Sequence, residues 1–286
     1  MTAPPIPPSP RGWGLWRRQV LAILRLELRK GFFGRRGLWL YLLALGPVAI
    51  PVLFAIVSRG FPAMLGDPTN VGRATLVFAH QYQEFILRIV IFLACVAIFG
   101  NLIRREMLDR SLHYYLLAPV RREILLAAKF LAGALVAIVL FGASTLASFL
   151  LTYLPYDTGA VERFMLNGPG PAHLGAYLLV TVLACLGYGA VFLAFGFFFK
   201  SPAVPALLVF GWESIHFLLP PLLKKISVIH YLQSLCPVPL SQGPFALLSD
   251  APPRWAAAGS LLLLAAALLA LSAQRIRRLE ISYEED

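Results

Sequence analysis

Glu213 and His216 are the residues of this chain best placed to do chemistry inside an apolar run. Three apart, they share one face of a helix. A carboxylate with an imidazole can hold a metal, pass a proton or hydrogen-bond to its neighbour. A di-iron site takes ExxH from each of two helices plus further glutamates, and this chain offers one copy. Two readings stay open: a Glu–His hydrogen bond that steadies a bundle, or a polar spot on a translocation path. An acid near a membrane's centre costs about 2.5–3.5 kcal/mol on insertion scales, so Glu213 is expected to have a partner or to face water. Other catalytic chemistry is missing. With no GxxxxGK[ST] loop to cradle phosphates, the chain is not expected to hydrolyse ATP, and neither GxSxG nor HExxH occurs. Cys95, Cys185 and Cys236 form no CxxC or Cys/His cluster, which speaks against a disulfide framework or a zinc site.

The second chemical feature is a charged block, RREMLDRSLHYYLLAPVRRE at 104–123, wedged between two long apolar runs. A segment of this kind must sit in water or at a membrane surface. As a helix it carries an apolar stripe of Met107, Leu108, Leu112, Tyr115 and Leu116, with Arg104, Arg105, Asp109, Arg110 and His113 pointing elsewhere. Pro119 ends it, because the residue before a proline disfavours helical geometry. The block is built to be gripped from its own side of the membrane.

The elements that must position these residues are membrane helices. The chain has 286 residues, 59% of them hydrophobic and only 14% charged, where soluble domains carry about a quarter charged. Crossing about 30 Å of hydrocarbon takes roughly 20 apolar residues. Runs of that kind lie at 38–57, 85–103, 125–154, 174–199, 203–223 and 255–273. The expected fold is therefore all-α and polytopic, with six transmembrane helices. Continuous runs exclude a β-barrel, whose strands alternate. The first run holds Gly46, Pro47 and Pro51 and should kink. Gly133, Gly142, Gly187, Gly189 and Gly196 enrich the third and fourth runs in small residues, which let backbones approach closely. Packing within one chain is the favoured use, with a dimer seam as the other. Glu84 and Arg88, four apart at the start of the second run, are expected to pair.

The net charge of +11 reflects topology rather than nucleic-acid binding. Basic residues crowd the segment before the first run, the 104–123 block, Lys200, and the tail with Arg275, Arg277 and Arg278. The positive-inside rule then places both termini in the cytoplasm. Residues 1–12 are Pro-rich at the start and read as disordered, not as a secretory signal. Residues 13–286 read as one domain. Residues 13–30 read as an amphipathic interfacial helix, with Trp16, Val20, Ile23, Leu24 and Leu28 on one face and Arg18, Arg25 and Arg29 on the other. Residues 226–235 and 245–248 are apolar but too short to cross, so short interfacial or re-entrant outer helices are expected.

The order Glu106, Ser111-Leu112, Leu116-Leu117, Pro119-Val120-Arg121-Arg122 and Lys129 resembles the loop after the second span in permeases of the type-two ATP-binding-cassette exporters. Arg110-Ser111-Leu112 stands where that family usually has Gly-Thr-Leu. The resemblance extends to a basic N-terminal helix before six spans and to broken outer helices between the last two. It implies a coupling helix that docks on a separate cytoplasmic ATPase subunit, which would bind ATP and Mg, with no cofactor on this chain. It implies a second permease copy, forming a homodimer in a prokaryotic plasma (inner) membrane. Under that resemblance Arg104, Arg105, Glu106, Asp109 and Arg110 make the polar contacts with the ATPase. Leu112, Tyr115 and Leu116 fill its groove or pack on the membrane face, and Pro119 ends the helix. The rival expectation is a secondary transporter or channel using Glu213. It predicts two similar halves, which the sequence does not display.

Overall fold

Runs of apolar residues with no water to satisfy their backbone must fold as helices, and every regular element among the described residues is helical. The computed structural model describes residues 13–61, 63, 66–100, 102, 122–199, 201–215, 223, 226–240 and 252–277. In chain order the helices are α1 (Trp13–Phe33), α2 (Arg35–Gly60), α3 (Val71–Phe99), α4 (Arg122–Thr152), α5 (Thr158–Glu162), α6 (Gly170–Phe195), α7 (Ala203–Ser214), α8 (Val228–Leu235) and α9 (Arg254–Arg277). Five of them, α2, α3, α4, α6 and α9, are long and apolar enough to cross a membrane. α4 and α6 form the centre. α6 packs against α3, α4, α8 and α9, while α4 also carries α1 and α2.

Four of the expected spans coincide closely with α2, α4, α6 and α9. The second begins earlier than expected, at Val71 instead of 85. Asn70 caps it, its side-chain oxygen accepting from the Arg73 N–H at 3.2 Å. The extension over 71–84 escapes a hydropathy sum because its exposed face holds Arg73, His80 and Glu84. The middle of α3, Gln81–Ile91, is wound as π-helix. Its buried residues accordingly come in neighbouring pairs every four positions, Tyr82 and Gln83, Ile86 and Leu87, Val90 and Ile91. Of the expected run 203–223, the described helix is Ala203–Ser214, and 216–222 lie outside the described residues, as do 1–12 and 245–248.

α1 follows the sequence pattern where its side chains are described. Val20, Ile23, Leu24 and Leu28 are half-buried, and Arg25 and Arg29 are exposed. The side chains of Trp16 and Arg18 are outside the described residues. α8 is a short helix laid against α6 and α9, burying Val228, Ile229, Leu232 and Leu235.

α2 contains Pro47 and Pro51. Pro51 has no N–H to give to the carbonyl four residues back, so the Pro47 carbonyl is released from the helix ladder. Two side chains from other helices take its place: Gln81 Nε2 donates to it at 2.7 Å and Ser148 Oγ at 2.9 Å. Gln81 Nε2 also donates to Ser148 Oγ at 3.0 Å. Ser144 Oγ donates to the Ala44 carbonyl one turn earlier, at 2.5 Å. The break in α2 is thereby stitched to α3 and α4, as an apolar surrounding demands.

Small residues close the central helices on one another. The Phe99 ring of α3 lies between Gly133 of α4 and Gly189 of α6. A Cβ at Gly189 would stand 2.8 Å from Phe99 Cε2, and one at Gly133 would stand 2.9 Å from Phe99 Cε1. Both glycines therefore serve packing within the chain. Gly142 has open space at the same position. Gly189→Ala is expected to cost about 1–3 kcal/mol by forcing the ring and backbone apart, whereas Gly142→Ala should be near neutral. Thermal melts of the two purified variants check this.

Candidate functional site

The start of α4 is where the 104–123 block enters the bundle, and three charged links gather there. Lys129, one residue short of two full helical turns beyond Glu123, has its side chain 2% exposed. A buried ammonium needs a partner, and Lys129 Nζ meets Glu27 Oε1 of α1 at 3.0 Å. Glu27 sits on the half-buried face of α1 with Leu24 and Leu28, so the amphipathic pattern itself delivers the acid to α4. Glu123 pairs with Arg277 at the end of α9. Arg122 Nη1 points back to the Ile276 and Arg277 carbonyls at 3.4 Å each, where a cation favours the negative end of a helix. The first turns of α4 are thus held by both terminal helices.

The expected contact residues Arg104, Arg105, Glu106, Asp109, Arg110, Leu112, Tyr115, Leu116 and Pro119 lie outside the described residues, and so does His216. Lys129 is described and is placed by its ion pair. The sequence reading left Glu27 out. Its signal was an acid among the apolar residues of an otherwise basic helix, together with a lone lysine in a span.

Glu213 lies near the end of α7 and is 3% exposed. Its carboxylate accepts from Ser227 Oγ at 2.8 Å, from the Val228 N–H at 2.9 Å and from the Ile229 N–H at 2.9 Å. These groups are the N-terminus of α8, whose free donors and dipole favour an anion. Gln83 Nε2 donates to the Val238 carbonyl at 2.8 Å, just beyond the other end of α8. The short helix α8 is therefore tied at both ends, to α7 and to α3. The expected Glu84–Arg88 pair is present, with Arg88 Nη1 donating to Glu84 Oε2 at 2.5 Å.

A helical bundle with five helices long and apolar enough to span defines a multi-pass membrane protein. Residues 23–211 match the model of the family described as ABC-2 family transporter protein, and the chain belongs to that family, as a permease component of an ABC transporter. No curated protein matches the chain. The family match takes in the second half of α1 with Glu27, the 104–123 block and Lys129, and it stops before Glu213, α8 and the α9 side of the clamp.

Proposed function

We propose that this chain is the membrane half of an exporter driven by ATP that a separate cytoplasmic ATPase subunit hydrolyses. Two copies pair in the plasma (inner) membrane of a prokaryote, with six spans each and both termini in the cytoplasm. The sixth crossing is the run 203–223, of which α7 is the first part. The Arg104–Pro119 segment is the coupling helix. Glu106, Arg110 and their charged neighbours contact the ATPase, and Leu112, Tyr115 and Leu116 supply the apolar contact. ATP and Mg belong to that partner.

The observation that carries this reading is the clamp on α4. A family match spanning the segment supports reading it as the place where an ATPase partner pushes. The Glu27–Lys129 and Glu123–Arg277 links explain how a push at 104–121 reaches both terminal helices together with α4. Use of Glu213 as a proton site fits less well, because three donors already engage its carboxylate. Its role in this reading is to hold α8.

The test is a Glu106→Ala/Arg110→Ala variant purified from membranes beside the parent chain. The parent is expected to co-purify with a P-loop ATPase and to stimulate its ATP turnover. The double variant should insert normally and lose that stimulation, at least tenfold by the usual weight of charge-assisted contacts, about 1.5–3 kcal/mol each. A variant that binds and stimulates the ATPase like the parent would sink the coupling assignment.

A further inference from the structure

α1 turns its apolar stripe inward. It packs on α4 and α2, with Ile23, Leu24, Glu27 and Leu28 half-buried. Gly31 lies so close to α4 that a Cβ there would stand 2.9 Å from Val136 Cγ2. The stripe that the sequence pattern offers to a membrane is therefore used inside the protein. What faces outward is a row of Leu21, Arg25 and Arg29, four apart and one above another, with Leu26 beside it. All four are exposed, Leu21 by 60% and Leu26 by 47%. Neither arginine has an ion-pair partner among the described residues, and the acid between them, Glu27, is turned to Lys129.

The height of this row follows from α4. The chain climbs α4 in one direction, Glu27 meeting Lys129, Gly31 Val136, Ala44 Ser144 and Pro47 Ser148. Arg25 and Arg29 stand within about 3 Å of Glu27 along α1, and Lys129 stands about 10 Å beyond the charged start of α4 at Arg122. The arginines thus lie past that charged start and short of Leu38, Leu42 and Leu45, where the exposed surface of α2 becomes apolar. The layer between water-side charges and hydrocarbon-facing side chains is that of the lipid headgroups. Water suits the two arginines but not the two leucines, and hydrocarbon suits the leucines but not the arginines. A phospholipid with net negative charge meets both needs, because guanidinium groups pair with phosphate oxygens and its chains cover apolar surface.

We propose that the outward face of α1 binds anionic phospholipid in the leaflet nearest the 104–123 block. Arg25 and Arg29 take the phosphate, and Leu21 and Leu26 lie against the upper acyl chains. Through Glu27 and Lys129 the same lipid steadies the start of α4. The proposal rests on the membrane-spanning fold and not on an ATPase partner.

The test places the full-length chain in vesicles of phosphatidylcholine and phosphatidylglycerol, with bromine on the acyl chains of one lipid or the other. Leu21→Cys carrying a bimane fluorophore reports which lipid lies beside α1, and Leu26→Cys serves as a second reporter should the first label disturb the helix. Cys95, Cys185 and Cys236 are buried, so the parent chain sets a low labelling background. Phosphatidylglycerol is expected to quench as though enriched about fivefold over phosphatidylcholine, which corresponds to about 1 kcal/mol. Arg25→Gln/Arg29→Gln should bring the two lipids level, and the exposed position keeps that variant folded. Arg59→Gln, at the far end of α2, should leave the enrichment unchanged. Fluorescence that neither lipid quenches overturns the proposal, since water, another protein or a second copy then covers this face. Equal quenching by the two lipids also overturns it, as does an enrichment that survives the double variant. Enrichment in a chain that recruits no ATPase keeps this inference and removes the coupling reading. Equal quenching in a chain that stimulates its ATPase does the reverse.

Discussion

Lys129→Met, made alone, is expected to lower the stability of the purified protein by about 3–5 kcal/mol. Methionine fills much the same volume, so packing is not the source of the loss. The source is Glu27, only 13% exposed, left in an apolar setting without the ammonium at 3.0 Å. Removing both charges should recover most of the loss, because a buried pair replaced by apolar groups is often neutral. Glu27→Gln/Lys129→Met is therefore expected to melt closer to the parent than Lys129→Met does. Thermal melts of the four members of this cycle give the coupling directly. A double variant as unstable as the single one would show that Lys129 matters through something other than Glu27. The cycle also separates stability from coupling. Under the proposed coupling to an ATPase partner, if α1 and α4 move as one piece, the double variant should fold well and still stimulate that partner less than the parent does.

The second large effect is at Glu213. Glu213→Ala removes the acceptor for Ser227, Val228 and Ile229, and each buried donor left unmet costs about 1–3 kcal/mol. The penalty is local, since those donors belong to α8 and the turn before it. The expected result is release of α8, seen as protease cleavage or deuterium uptake within 226–240, while α4 and α6 stay protected. Glu213→Gln keeps one carbonyl oxygen and should produce a smaller effect of the same kind. A proton-carrying Glu213 makes a different forecast: transport abolished in Glu213→Gln with α8 still protected.

What the sequence made legible follows from which physics is local. The spans at α2, α4, α6 and α9 were readable because the bilayer imposes a length on any apolar run. The start of α3 was not, because a hydropathy sum takes no account of faces. Arg73, His80 and Glu84 cancel the apolar residues on the other side of the same helix. The kink in α2 could be expected from Pro47 and Pro51, but the residues that capture the freed carbonyl, Gln81 and Ser148, come from distant helices. Glu84 and Arg88 could be paired from their spacing alone. Glu213 could not be given its partner that way, because the α8 N-terminus lies 14 to 16 residues further along, well outside one helix face. Glu27 was hidden for a similar reason. Its meaning appears only once α1 is laid on α4.

The ring of Phe99 between Gly133 and Gly189 leaves no room for sliding where α3, α4 and α6 meet. A rigid α4 can still tilt about that contact. At 1.5 Å per residue, Gly133 is about 16 Å from Arg122 and about 28 Å from Thr152 along the axis. The contact thus acts as the fulcrum of an unequal lever. For any such tilt, a displacement at the Arg122 end emerges at the Thr152 end reversed in direction and about 1.7 times as large.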